Sequence, residues 1–237
     1  MKGILSRWIP VPVNIWKGVA NIANLLKADL HIHTEYSMDC ESPLEKIINR
    51  CLELDINCIA VADHGTAEGA LKMQGMAPFP VIVAEEVLTD DGEIMGMFLQ
   101  ETIPSGMSLA DTLNQIKAQG GLVCIPHPFD TFRGSALGSK INEILEQIDI
   151  IEVFNARSPL LRSSDKARQF AEKYGFVQSA GSDAHHIHEI GNAYVEMAEF
   201  NGKDSFLQAL ARGKIHGHKT NLLRHINSTW VKIKNLR

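Results

Sequence analysis

The residues of this sequence that could do chemistry are histidines and carboxylates that follow predicted strands. The stretch at residues 28–34 reads Ala-Asp-Leu-His-Ile-His-Thr. If it is a strand, its pleat turns His31 and His33 to one face, and Leu30 and Ile32 to the other. Two imidazoles placed in this way can chelate one transition metal ion. A lone pair of this kind is more often a strand with histidines facing water, so the rest of the chain decides between the two interpretations.

Further ligand-type side chains recur at other predicted strand ends. Together with the first pair they are His31, His33, Asp39, His64, Glu86, His127, Asp183 and His185, with Glu93 beside them. These are too many ligands for one ion, and a carboxylate such as Glu86 can bridge two ions. Imidazole and carboxylate without thiolate favour zinc, manganese or iron. Adjacent cations lower the pKa of a shared water, so that hydroxide forms near neutral pH, and they bind phosphoryl oxygens. The pattern therefore favours hydrolysis of a phosphate ester.

Strands and helices alternate along the chain and would position these side chains. The apolar runs at residues 57–62 and 122–125 are typical of strands buried on both faces of a parallel sheet. Ser42 and Glu45 predict a helix start with a capping box, and Gly175 predicts a helix end. At least six predicted strand ends supply polar residues. This arrangement predicts a (β/α) barrel whose site lies at the C-terminal ends of its strands.

Length and composition limit the class of protein. The chain has 237 residues, of which 45% are hydrophobic and 22% are charged, and this favours one α/β domain with a large core. The four cysteines form no C-x-x-C pair, and Cys51, Cys58 and Cys124 lie in apolar stretches that are typical of buried thiols in a reducing compartment. No apolar run reaches transmembrane length, and prolines interrupt the stretch at residues 8–13. We therefore expect a cytoplasmic protein.

Basic residues are concentrated at both ends of the chain. Residues 1–28 and 205–237 carry lysine and arginine without any acid, so the body between them has a formal charge of −16. Residues 14–27 and 222–233 also show apolar residues at helical spacing. Such ends can bind a membrane surface or nucleic acid, or can pack on the acidic body. We favour packing, and binding to a membrane surface stays as the alternative.

Several motifs occur in a fixed order along the body of the chain. They are Asp29-Leu30-His31-Ile32-His33-Thr34 with Ser37 and Asp39, Ala62-Asp63-His64, Glu86, Ile125-Pro126-His127-Pro128, and Gly181-Ser182-Asp183-Ala184-His185. Together they resemble the ordered motifs of the PHP (polymerase and histidinol phosphatase) family. The resemblance implies a distorted seven-stranded (β/α) barrel, a trinuclear metal site and hydrolysis of phosphoesters. It divides the chain into an N-terminal extension at residues 1–27, the barrel at residues 28–213 and a basic segment at residues 214–237.

The resemblance also implies a set of ligands. A first ion would be held by His31, His33, Glu86 and Asp183, a second by Asp39, His64 and His185, and a third by Glu86, His127 and Glu93. Glu93 stands where many members of the family have histidine, and a carboxylate is a harder, anionic ligand. We expect two or three divalent ions of manganese, iron or zinc. The residues expected to take part in catalysis are His31, His33, Glu86, Asp183 and His185.

Two arginines could bind a substrate phosphate. Arg157 and Arg133 follow strand ends on the face of the site, and a guanidinium group can donate paired hydrogen bonds to phosphate. A plain surface ion pair explains either arginine nearly as well. His216 and His218 repeat the H-x-H spacing, but basic residues surround them and oppose cation binding. We therefore do not count these two histidines as ligands.

These observations favour a stand-alone metal-dependent phosphoesterase. Its substrate would be a small phosphomonoester, a nucleotide or the end of an oligonucleotide. The acidic body shows no interleaved aromatic and basic residues, so there is no sign of a long nucleic-acid track. A metal-dependent amidohydrolase is an alternative, weakened by the lack of an obvious lysine near a strand end. A non-catalytic PHP module is a second alternative, against which the complete set of ligands argues.

Overall fold

Strands and helices alternate in the computed structural model, which describes residues 25–130 and 136–220. The strands of these residues are β1 (Leu26–Ile32), β2 (Cys58–Val61), β3 (Val81–Leu88), β4 (Glu93–Met97), β5 (Leu122–Ile125), β6 (Ile150–Asn155), β7 (Val177–Gly181), β8 (Ala193–Met197) and β9 (Lys214–Gly217). The α-helices are α1 (Leu44–Glu53), α2 (Glu68–Gln74), α3 (Leu109–Ala118), α4 (Leu161–Tyr174) and α5 (Lys203–Ala211). Two short 3₁₀ helices, Gly138–Glu143 and Leu145–Gln147, precede β6.

The strands form one sheet that curls into a barrel. Their order is β7-β6-β5-β4-β3-β2-β1-β8-β9, and β4 is antiparallel between β3 and β5. The barrel closes where the end of β7 meets β1, because Asp183 N donates to His31 O at 2.7 Å and Ser182 N donates to Asp29 Oδ1 at 2.8 Å. The predicted class of α/β barrel is confirmed. The predicted count of seven strands is too low, because β8 and β9 extend the sheet of the described residues beyond β1.

Apolar side chains cover both faces of this sheet. An outer cluster packs strand residues such as Ile59 and Val61 against α1, α2, α3 and α4. An inner cluster contains the alternate strand residues, such as Ala60, together with Phe206 of α5. Because both faces are buried, the strands read as continuous apolar runs in the sequence. Full burial of one Leu, Ile or Val side chain contributes about 1.5–3 kcal/mol, so the two clusters together account for most of the favourable free energy of folding.

Strand β1 departs from regular alternation between Asp29 and Ile32, the stretch that contains the first histidine. Leu30 belongs to the inner cluster, whereas Ile32 belongs to the outer cluster. The prediction that these two residues share a face is therefore wrong. The register of β1 against β2 shifts between Asp29 and Ile32, and such an irregularity changes the face that later side chains occupy. His31 lies within this shifted stretch and His33 follows the last residue of the strand.

The sheet extends beyond the predicted limits of residues 28–213 at both ends. Leu26 pairs with Met197, so Leu26 and Lys27 belong to β1 and not to the helix that was predicted for residues 14–27. At the other end, β9 pairs antiparallel with β8. The remaining parts of both predicted amphipathic segments lie outside the described residues.

The helix ends test the local sequence signals. The N-cap of α1 is Pro43, with φ −64° and ψ 145° and no side-chain cap, so the predicted capping role of Ser42 is wrong. Gly175 ends α4 in the left-handed conformation at φ 76°, as predicted, because glycine adopts that conformation without steric cost. Across residues 25–130 and 136–220, no helix has both the length and the apolar character needed to cross a membrane.

The four cysteines of the chain are all buried and free, as predicted for Cys51, Cys58 and Cys124. Burial raises the pKa of the Cys51 and Cys58 thiols to about 12. These groups therefore stay protonated near neutral pH and act as small apolar side chains.

The contact between β7 and β1 generates a prediction about Gly181. A Cβ atom at this position would lie 2.7 Å from His31 N, which is closer than real side chains approach. We expect Gly181→Ala to push the two strands apart and to lower the free energy of unfolding by about 1–3 kcal/mol. Urea denaturation measures the change. Gly75→Ala is the matched control, because Gly75 has φ −81° and its nearest neighbour would be 3.6 Å away. Equal stability of the two variants would contradict the close contact.

Candidate metal centre

The predicted ligand side chains converge at the C-terminal ends of the barrel strands. His31 lies in β1, His33 and Asp39 follow it, His64 follows β2, Glu86 lies in β3, Glu93 begins β4, His127 follows β5, and Asp183 and His185 follow β7. The parallel strands end at one edge of the sheet, and the antiparallel strand β4 begins at that same edge, which explains why residues far apart in the sequence meet here. His216 and His218 belong to none of the ligand groups among the described residues.

Glu86 is the central carboxylate of this cluster. Its side chain is fully buried, and Oε1 lies 2.9 Å from His127 Nε2. Its Oε2 lies 3.4 Å from both His31 Nε2 and His64 Nδ1, and 3.6 Å from His33 Nε2. Burial opposes the charge, but His64 and His31 outweigh it and hold the pKa of Glu86 well below its ordinary value. Oε2 nevertheless accepts no hydrogen bond from the described residues. A buried anionic oxygen without a donor fits a cation.

His31 and His33 direct their Nε2 atoms at each other across 3.1 Å. Burial and the nearby His185 lower the pKa of His33 to about 3, so this imidazole is neutral. Burial also opposes a charge on His31, but Asp183 and Glu152 outweigh it and raise the pKa of His31 well above its ordinary value. The carboxylates that favour a proton at His31 equally favour a metal ion there, since both are cations that bind the same nitrogen.

A second carboxylate, Asp39, gathers the remaining histidines. Its Oδ2 lies 3.1 Å from His185 Nε2 and 3.5 Å from His64 Nε2, and its Oδ1 accepts a hydrogen bond from Ser37 Oγ at 2.8 Å. Burial opposes the charge of Asp39, but His185 and His64 outweigh it and hold its pKa well below the ordinary value. Asp39 is therefore ionised, as a metal ligand must be.

The ligand atoms form overlapping groups whose members lie within 4.8 Å of one another. The groups are His33, Asp39, His64 and His185; His31, His33 and Glu86; His31, His127 and Asp183; and His64, Glu86 and Glu93. Since several residues belong to two groups, adjacent ions could share ligands. Glu93 groups with His64 and Glu86, whereas the predicted set joined it to His127, which it approaches to 3.9 Å. The assignment of each ligand to a particular ion stays a prediction.

The cluster opens to solvent on one side. The side chains of His64, Asp39 and Glu93 are 17%, 12% and 10% exposed. Those of His31, His33, Glu86 and His127 are fully buried. A substrate therefore has to reach the cluster past the three partly exposed residues.

Sequence reasoning missed Glu152 and Asn155 as parts of this site. Glu152 Oε1 lies 3.0 Å from His31 Nδ1, and Oε2 accepts hydrogen bonds from His127 N at 2.8 Å and from Asn155 Nδ2 at 3.0 Å. Asn155 Nδ2 also donates to Asp183 Oδ2 at 3.1 Å. A hydrogen bond from Nδ1 to this carboxylate leaves the Nε2 lone pair of His31 for a metal ion. The missed signal was the position of both residues near the end of β6, where other strands supply ligands.

Two predicted ligands have unusual backbone conformations. His127 has φ 29° and Asp183 has φ 54°, in a region that residues other than glycine seldom occupy. Backbone contacts hold both residues in place, because His127 N donates to Glu152 and Asp183 N donates to His31 O. Conformations of this kind are concentrated at functional sites, where the surrounding structure fixes them.

Arg157 pairs with a carboxylate that supports one of the predicted ligands. It is buried, and its Nη1 lies 3.1 Å from Glu189 Oε2, which also accepts a hydrogen bond from His185 N at 3.0 Å. The pair thus supports the backbone of a predicted ligand. A role of Arg157 in binding substrate phosphate stays a prediction, and Arg133 lies outside the described residues.

The contacts of Glu152 generate a prediction. Glu152→Gln replaces the anionic partner of His31 by a neutral amide of similar size. We expect the affinity for Mn²⁺ to fall about 10–100-fold, because the imidazole loses the group that orients it and raises its basicity. Isothermal titration calorimetry measures the affinity, and circular dichroism checks the fold. Glu146→Gln, at an exposed position before β6, is the control. Equal Mn²⁺ affinity in the two variants would rule out this role.

Sequence comparison relates the chain to known proteins. The family model of the PHP domain matches residues 29–83, and the model described as PHP-associated matches residues 162–215. Uncharacterized protein MJ0417 of Methanocaldococcus jannaschii is 36% identical over 181 residues, which cover 74% of this chain and 72% of that protein. At this identity and coverage the two proteins are members of one family.

Solved structures share the fold at low sequence identity. A two-domain protein from Bacteroides vulgatus, described as containing a predicted PHP-like metal-dependent phosphoesterase, has a TM-score of 0.68 and 16% identity over 83% of this chain and 66% of its own. This chain thus spans about two thirds of that protein. The lesion-specific endonuclease PfuEndoQ of Pyrococcus furiosus has a TM-score of 0.59 and 14% identity over 90% of this chain and 71% of its own. With both domain matches and the barrel in agreement, the chain belongs to the PHP family.

Proposed function

We propose that this chain is a metal-dependent hydrolase of phosphate esters. The observation that carries the proposal is the position of Glu86, a fully buried and ionised carboxylate within 3.6 Å of four imidazoles. Removing a carboxylate from water costs several kcal/mol, so its surroundings must supply positive charge. Imidazoles and carboxylates without thiolates suit manganese, iron or zinc. We propose that two or three such ions bind here.

Different residues would hold each of the ions. Glu86 would bridge two ions, with His31, His33 and Asp183 on one side of it. Asp39, His64 and His185 would hold a further ion, and His127 and Glu93 a third. When bound, adjacent divalent ions lower the pKa of a shared water and stabilise charge on the phosphoryl and leaving oxygens.

The other residues keep these ligands in position. Glu152 fixes the orientation of His31 and the backbone of His127, through contacts of 3.0 Å and 2.8 Å. The pair of Arg157 and Glu189 fixes the backbone of His185. Because the ligands are held before a substrate arrives, little rearrangement is needed when the reaction takes place.

We propose that the substrate presents a single phosphate group to the site. Its class is a small phosphomonoester, a nucleotide or the end of an oligonucleotide. The partly exposed residues at the opening are His64, Asp39 and Glu93, and two of them are acidic, which supports a phosphate group that binds the ions and not these carboxylates. The similarity of the fold to that of the lesion-specific endonuclease PfuEndoQ supports keeping an oligonucleotide in this class.

Metal content is the first measurement that tests the proposal. After anaerobic loading with manganese or iron and removal of free metal, we expect elemental analysis to find two or three ions per chain. Dialysis against a chelator should remove the ions and abolish hydrolysis of phosphate esters. Fewer than one ion per chain after loading would contradict the proposal.

The second test compares two neighbouring glutamates. Glu85 is as buried as Glu86 but faces away from the cluster, where its Oε2 accepts a hydrogen bond from Ile103 N at 2.8 Å. We expect Glu86→Gln to lower kcat/KM by several orders of magnitude, because the bridging charge is lost, and Glu85→Gln to keep most of the activity. The substrates to be tested are p-nitrophenyl phosphate, its bis ester, 5′-nucleotides, 5′-phosphorylated oligonucleotides and amides. Hydrolysis of amides alone would replace the proposal by an amidohydrolase.

A further inference from the structure

A small polar cavity lies beside His127, where the ends of β5 and β6 meet the first turn of α4. Its volume is about 10 Å³. Side chains with hydrogen-bonding groups line most of it, and they belong to His127, Glu152, Asn155, Ser158, Ser163 and Ser164. One water molecule needs roughly 10–15 Å³ of such space and two to four polar partners. The cavity therefore has the size and the lining of a site for a single water molecule.

One ring nitrogen of His127 has no partner among the described residues. Nε2 lies 2.9 Å from Glu86 Oε1, in the metal centre. Nδ1 is buried, and across residues 25–130 and 136–220 it makes no hydrogen bond. Buried polar atoms in native structures are satisfied by protein groups or by ordered water, because an unsatisfied one is costly. Since His127 lines the cavity, a water molecule there can be the partner of Nδ1.

Two other histidines of the metal centre show what a partner of Nδ1 does. His31 Nδ1 lies 3.0 Å from Glu152 Oε1, and His185 Nδ1 lies 3.0 Å from a backbone carbonyl oxygen. Contacts of this kind orient the imidazole and leave Nε2 for a metal ion. His33 Nδ1 also lacks a partner among the described residues, but His33 does not line this cavity. His127 is therefore the predicted ligand that the cavity could orient.

Two serines of α4 supply hydroxyl groups to the cavity. Ser163 and Ser164 are both buried. Lys219 Nζ donates to Ser164 Oγ at 3.2 Å and to Asn155 O at 3.1 Å. An ammonium group can only donate, so Ser164 Oγ accepts this bond and can donate its own hydrogen to a water molecule. Ser163 Oγ can accept a hydrogen bond from the same water.

We propose that the cavity binds one ordered water molecule, held by His127 Nδ1 and by the hydroxyl groups of Ser163 and Ser164. Water both donates and accepts, so it can satisfy Nδ1 in either tautomer of the imidazole. It accepts from Nδ1–H when Nε2 binds a metal ion, and it donates to Nδ1 when Nε2 carries the proton. The water thereby links α4 to the metal centre and keeps the ring of His127 in place. The water site is independent of the reaction, whereas its effect on metal binding rests on the proposed function.

A crystal structure of the full chain tests the site directly. We expect electron density for one water molecule within about 3.2 Å of His127 Nδ1 and of a serine hydroxyl group. The same density is expected with and without bound Zn²⁺, because the water can satisfy either tautomer. A side chain that fills the cavity, or a cavity without density next to Nδ1, would overturn the proposal. If the chain binds no metal ion, the proposed function fails, but this density still decides whether the water site exists.

A matched pair of substitutions at Ala167 separates the role of the water from packing. Ala167 is buried in α4 and lines the cavity. Valine and threonine have similar shapes, but only threonine carries a hydroxyl group that can replace the water. We expect Ala167→Val to displace the water and to lower the affinity for Mn²⁺ about tenfold, because His127 loses the partner that orients it. Ala167→Thr should keep most of that affinity.

Isothermal titration calorimetry measures the affinity, and urea denaturation shows whether the variants fold. Gln169→Val, on the exposed face of α4, is the control for the effect of a β-branched residue on the helix, and it should bind Mn²⁺ as the unsubstituted chain does. Equal losses of affinity in Ala167→Val and Ala167→Thr would show a packing effect alone and would overturn the positioning role of the water. Unchanged affinity in both variants would overturn it as well. If either variant fails to fold, the crystal structure of the unsubstituted chain decides.

Discussion

Burial of carboxylates among imidazoles is the interaction on which the rest of this structure depends. Glu86 and Asp183 lie at the centre of the barrel without solvent exposure, and such groups are stable only where positive charge meets them. The histidines that meet them come from β1, β2, β5 and β7 or from the turns that follow these strands. The barrel therefore has to bring distant parts of the chain together within a few ångströms. Sites of this kind are natural binding sites for divalent ions, which supply concentrated positive charge.

The barrel brings these residues together most closely where β7 meets β1. Gly181 lets β7 approach β1 closely, so that Asp183 can hydrogen-bond to the backbone of His31. Glu152 and Asn155 then link β6 to ligands from three other places in the chain. The unusual backbone conformations at His127 and Asp183 persist because these contacts outweigh their conformational cost, which is about 1–3 kcal/mol each.

The two ends of the barrel have different surfaces. The C-terminal ends of the parallel strands carry the charged cluster, whereas the opposite end presents the rings of Phe79, Phe98 and Phe200 around a cavity. The chemistry at the C-terminal ends of the strands therefore constrains few of the residues at the opposite end of the barrel.

The sequence alone determined the class of fold and the predicted ligands, because strand ends, apolar runs and a helix stop such as Gly175 are local signals. The helix end at Gly175 depends only on the backbone conformation of that residue, and the buried strands can be recognised from the composition of their apolar runs. Tertiary structure decided the rest. The register shift between Asp29 and Ile32 depends on how β1 pairs with β2. The addition of β8 and β9 to the sheet depends on the edge that β1 offers to β8. The position of Glu152 near the end of β6 could be read from the sequence, but its contact with His31 and the partner of Arg157 could not, since a carboxylate or guanidinium group has a role only through the groups that folding places beside it.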